Sequence, residues 1–115
     1  MSYSIDQSRL FDVLDSAATA AAQLRALVDE QEQLRSELAD LRRGADIARS
    51  TALYKDEGSE QTDRRIAGRE AQLDRIRARV EEAREALMPR ISLGRRALEH
   101  ARSKGLQEEV SGYAI

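Results

Sequence analysis

Cysteine and tryptophan are absent from this 115-residue chain, and proline and histidine occur once each. Without cysteine there can be no disulfide and no thiolate metal site. Aromatic residues make up only 3%, which leaves little with which to build a globular core around large rings. No stretch approaches the ~18 consecutive apolar residues of a membrane span. The N-terminal MSYSIDQSRL lacks the basic region and apolar run of a secretory signal. The expectation is a chain with no membrane partner, placed in the cytoplasm or inside a particle assembled there.

What is present is helix-forming material. Hydrophobic residues account for 41% and charged residues for 35%, dominated by Ala, Leu, Arg and Glu. That composition, with a short apolar period, indicates long helices or a coiled coil, and the length allows one domain. The net charge of −2 is unevenly distributed. Residues 1–41 hold three arginines against eight acids, whereas residues 42–105 hold sixteen basic groups against eleven acids. An acidic half followed by a basic half can pair with itself or with neighbours of the same asymmetry.

With Leu10 as heptad position a, the a and d positions run through Val13, Ala17, Ala20, Leu24, Leu27, Leu34, Leu38 and Leu41 to Ala52. Gln31 is the single polar interruption. So sustained a register is the mark of a coiled-coil seam. Leu14, Ala21 and Val28 at e positions widen the stripe and point to contact with a further helix. With Phe11 and Gln31 they form the expected oligomer or partner interface. A buried polar residue such as Gln31 can fix register and oligomer state. The run AATAAA, Ala17 to Ala22, serves either helix propensity or a close helix crossing.

The segment TALYKDEGSEQTD carries the mid-chain turn signal. Gly58 suits the left-handed residue that ends a helix, and Ser59 suits the cap of the next. A second seam follows at Ile66, Leu73, Ile76, Val80, Ala83 and Leu87, with Arg69 as its polar member. Beyond Pro89 the apolar phase restarts at Ile91, Gly94, Leu98 and Ala101, a four-residue stutter. Gly105 reads as a helix end.

The expected fold is all-α, a long antiparallel helical hairpin over residues 1–105 with a tail at 106–115. Its parts are a helix over about 5–57, a turn at 57–60, a helix over about 60–88 and one over about 90–104. Pro89 either kinks one helix or breaks it to give a third, short one. The basic stretch after Pro89 should lie beside the acidic first helix. Tyr54 would mark the tip, while Tyr3, Phe11, Tyr113 and Ile115 gather at the base.

No catalytic set emerges. The chain has no HExxH, GxxxxGK[ST], GxSxG or GxGxxG motif, and His100 is its only histidine. No enzyme, cofactor, metal or small-molecule substrate is expected. Three surfaces remain as candidates. The tip offers Tyr54, Asp56, Glu57 and Glu60. The basic set Arg90, Arg95, Arg96, Arg102 and Lys104 could meet phosphates. The tail offers Val110, Tyr113 and Ile115 as a short docking peptide.

The order EQLRSELADLRR, an acidic turn, then RIAGREAQLDRI loosely resembles the coiled-coil arm of the Gre transcript-cleavage factors. The resemblance implies that Asp56 with Glu57 or Glu60 are tip acids that hold a metal in the RNA polymerase secondary channel. The turn is shorter than that arm expects, and the family's globular second domain is not among these residues, so membership is not assigned. The leading expectation is a non-enzymatic structural or assembly protein: an adaptor, spacer or scaffold in a larger machine such as a phage particle or secretion system. Its partners would be itself, as a homo-oligomer, and another protein of the assembly. The alternatives are a transcription regulator acting through the acidic tip and a nucleic-acid-packaging factor acting through the basic helix.

Overall fold

The structure, a computed structural model, describes residues 7–50 and 56–115; for residues 56–59 it describes the backbone alone. Two long helices, α1 (Gln7–Arg49) and α2 (Asp56–Ser103), pack against each other as an all-α antiparallel hairpin. Both helices run through two compact units, one of Leu27–Val80 and one of Met1–Ala26 with Glu81–Ile115.

In the Leu27–Val80 unit the α1 and α2 stripes meet as the period requires. Leu38, Leu73, Ile76 and Val80 are buried, with Leu27, Val28, Leu34 and Ile66 partly buried against them. Two charge-assisted hydrogen bonds join the helices along one edge of this seam. Arg42 Nη2 donates to Glu70 Oε1 at 2.8 Å, and Arg49 Nη2 donates to Asp63 Oδ1 at 2.8 Å. All four side chains are about half exposed. Each pair is therefore worth little in stability, but together they mark the register.

In the other unit Leu10, Leu14, Leu98, Ala101 and Val110 form the core. Here small residues do the packing. Ala17 and Ala20 are fully buried, and Gly94 faces Ala17 so closely that a Cβ added at Gly94 would collide with the Ala17 Cβ. The AATAAA run therefore serves a close helix crossing. Arg90 reaches across it, with Nε donating to Ser16 Oγ at 2.9 Å.

Two expectations need correction. The first helix ends at Arg49, and Gly58 lies inside α2, so Gly58 is not the helix stop. The last turn of α1 is closed by the Ser50 amide, which bonds back to the carbonyls of Asp46 and Ile47. With α1 ending at Arg49, Leu98 shares a core with Leu10 and Leu14. Second, Pro89 does not split the chain into two helices; α2 passes through it. Pro89 is exposed, so the carbonyl freed by its missing N–H can be met by water. The stutter also works in favour of continuity. A strict heptad drifts around a 3.6-residue helix, and one four-residue step returns Ile91, Gly94, Leu98 and Ala101 to the buried side. The basic stretch after Pro89 does lie beside α1, since Leu98 and Ala101 share a core with Leu10 and Leu14, but Arg95, Arg96, Arg102 and Lys104 are all exposed and none is paired with a described acid of α1. The described inter-helix ion pairs lie in the Leu27–Val80 unit instead. The aromatic Tyr3 falls outside the described residues.

Gly105 ends α2 as expected. Its φ is +84°, the Leu106 amide bonds to the Ala101 carbonyl at 3.0 Å, and the Gly105 amide bonds to the Arg102 carbonyl at 3.2 Å. This is a Schellman motif, completed by the apolar contact of Leu106 with the core that holds Ala101.

The glycines separate packing from propensity. An added Cβ meets nothing within 4 Å at Gly68, an exposed position of α2, but meets Ala17 at Gly94. Gly68→Ala is expected to stabilise the fold by about 0.5–1 kcal/mol. Gly94→Ala is expected to lose about 1–3 kcal/mol, part of it restored by Ala17→Gly. Urea denaturation of the three variants checks both signs.

Candidate functional site

The surfaces expected from the sequence are placed differently from one another. At the tip, Tyr54 lies outside the described residues, as do the side chains of Asp56 and Glu57. Glu60 is exposed and accepts a hydrogen bond from Arg64 of its own helix at 3.0 Å. Among the described residues no cluster of three or more His, Asp or Glu side chains is arranged to hold a metal. The basic residues Arg95, Arg96, Arg102 and Lys104 project from the last turns of α2 as an open cationic surface.

The C-terminal tail is bound to its own chain. The Schellman turn points Leu106 back to the core, the Val110 amide bonds to the Leu106 carbonyl at 3.2 Å, and Val110 is fully buried. Tyr113 stacks on Phe11, with ring centroids 6.2 Å apart and planes 23° from parallel. Its hydroxyl donates to Asp15 Oδ1 at 2.7 Å. Ile115 packs on the same core and reaches the Gly94 crossing. Val110, Tyr113 and Ile115 thus form a docking peptide whose site lies in the same unit.

This changes the expected partner interface. Leu14 has no exposed surface, and Phe11 is covered by Tyr113. Leu14 is therefore not presented to a partner, and at Phe11 the tail lies where a further helix was expected. Ala21, Val28 and Gln31 are half-buried, and Val28 packs against the core of its own unit.

The uncovered surface lies elsewhere, along the second edge of the Leu27–Val80 seam. One groove of about 470 Å³ is floored by Leu41, Gly44, Ala45 and Ala48 of α1 and bounded by Thr62 and Arg69 of α2. A second, of about 380 Å³, is lined by Glu30 and Leu34 on one side and by Gln72, Ile76 and Arg79 on the other. Both share Arg69, which pairs with Glu37 at 3.5 Å. At 100° per residue, Glu30, Leu34, Glu37, Leu41, Gly44 and Ala48 all fall on one face of α1. The two grooves are therefore one trough along the hairpin. The sequence signals were the small residues Gly44, Ala45 and Ala48 and the polar seam member Arg69, which leave the stripe under-filled.

No protein-family model, no curated protein and no solved structure matches this chain, so the Gre-type resemblance gains no support from known proteins. No described helix is long and apolar enough to cross a membrane.

The Tyr113–Asp15 contact raises the Tyr113 pKa above its ordinary 10.0, first through the hydrogen bond to Asp15, then through burial and the carboxylate's charge. A raised value favours the neutral phenol. The stabilisation is complete below pH 10 and is lost as the pH climbs through the higher folded value. In a Tyr3→Phe/Tyr54→Phe background, ultraviolet titration should place the remaining tyrosine above 10, and Asp15→Asn should bring it back towards 10. Equal midpoints in the two proteins would show that the tail is not docked in this way.

Proposed function

We propose that this chain is a non-enzymatic structural or assembly protein, an adaptor, spacer or scaffold that works by helix–helix association with a second copy and with another protein of a larger assembly. One observation carries the reading: the apolar seam of the Leu27–Val80 unit is bridged on one edge by Arg42–Glu70 and Arg49–Asp63 and lies open as a trough on the other. Leu27, Leu34, Leu41 and Ile66 remain only half-buried. Two helices alone enclose a thin core, and such seams gain most of their stability from further helices. In the other unit the tail supplies part of that cover. In this one no described segment does.

A second reading rests on the four open cations Arg95, Arg96, Arg102 and Lys104. A factor that binds nucleic-acid phosphates through them would lose affinity steeply between low and physiological salt, and Arg95→Ala/Arg96→Ala would abolish the binding.

Sedimentation equilibrium at micromolar concentration tests the leading reading. The expected species has at least twice the mass of the chain. A stable, fully helical monomer would overturn self-association.

A further inference from the structure

We infer that the trough along the Leu27–Val80 unit is the seat of a second copy of this chain, packed about a twofold axis parallel to the helices to give an antiparallel four-helix bundle. The inference rests on the assembly reading and names the surface, the occupant and the arrangement.

Charge chooses the occupant. On the closed edge of the seam, α1 is basic and α2 acidic, and Arg42–Glu70 and Arg49–Asp63 satisfy each other within the chain. On the open edge the signs are reversed. Here α1 presents Glu30 and Glu37, and α2 presents Arg69, Arg75 and Arg79. Glu37 and Arg69 bridge the trough at 3.5 Å. Glu30, Arg75 and Arg79 are exposed, with no described residue at ion-pair distance. The trough thus has an apolar floor, an acidic rim on one side and a basic rim on the other. A segment that fits it must carry the opposite rims.

The chain itself carries them. The helices are antiparallel, so each step along α1 is a step back along α2. The pairs Arg42–Glu70 and Glu37–Arg69 fix the register. Glu30 then lies level with Arg79, and Glu37 with Arg75, to within a helical turn. Two hairpins can stack trough to trough about a twofold axis in two ways. With the axis along the helices, each α1 lies beside α2 of the second copy, and Glu30 and Glu37 face Arg79 and Arg75 of that copy, twice per dimer. With the axis across the helices, α1 lies on α1 and α2 on α2, so acids oppose acids and arginines oppose arginines. Like charges across an interface are costly, and opposite charges set register and orientation. Only the first arrangement is compatible with the rims. Both arrangements place helices antiparallel on every side, as in up-and-down bundles, so the rims decide between them. The small floor residues Gly44, Ala45 and Ala48 leave room for the second copy's side chains.

A charge exchange tests the arrangement. Variant one is Arg75→Glu/Arg79→Glu, and variant two is Glu30→Arg/Glu37→Arg, each made in the full chain and checked for helix content by circular dichroism. Each alone sets like charges against like across the trough and should self-associate roughly tenfold or more weakly than wild type. Mixed one to one, they restore opposite rims at both interfaces and should recover the wild-type mass as a heterodimer. Wild-type association by each variant alone would overturn this interface while leaving the assembly reading intact. Two monomeric variants whose mixture stays monomeric would overturn the twofold arrangement. A monomeric wild type would overturn both the interface and the self-association on which it rests.

Discussion

A helix built from leucine, alanine and charged residues cannot keep its own apolar stripe out of water. It needs a neighbour of matching period, and here the nearest one is the other half of the same chain. That constraint explains why α1 and α2 are long, and why their contacts are Leu38, Leu73, Ile76 and Val80 in one unit and Leu10, Leu14 and Leu98 in the other. Burial of these stripes is the main favourable term. The exposed ion pairs add register rather than strength.

The two units answer the same shortage of core in different ways. Where Ala17 and Ala20 face Gly94, the backbones approach closely, and the tail covers part of the remaining surface through Leu106, Val110 and Tyr113. Where Leu34, Leu41, Ala45 and Ala48 line the seam, small floor residues and Arg69 leave a trough. The first unit is covered in part by its own tail, with a smaller groove left open beside Val13 and Leu93. The second has no described tail to cover it, and the proposal that this protein assembles with others of its kind grows from that difference.

Much of this was legible in the sequence. The heptads of α1 and the stutter after Pro89 mark the buried faces correctly, because side-chain period and burial are the same fact seen twice. Position Gly105 was legible as well, since only glycine takes its positive φ without strain. The helix ends near the turn were less so. Gly58 and Ser59 carry good stop and start chemistry, but local propensity is a weak prior beside tertiary packing. The register was set by the Arg42–Glu70 and Arg49–Asp63 edge, which no local pattern announces. The role of the tail was hidden for a similar reason. Phe11 and Leu14 read as a surface for a partner helix, and only three-dimensional proximity shows that Tyr113 and Val110, about a hundred positions away, already cover it.

Spin-label distances test the pairing of the helices most directly, and the absence of cysteine makes the labelling clean. Labels at Arg42 and Glu70, and separately at Ser16 and Arg90, are introduced as cysteine pairs and read by pulsed dipolar spectroscopy in protein diluted with unlabelled chain. A short, narrow distance distribution is expected for both pairs, since each bridges the two helices directly. Long or broad distributions at both would contradict the antiparallel seam itself.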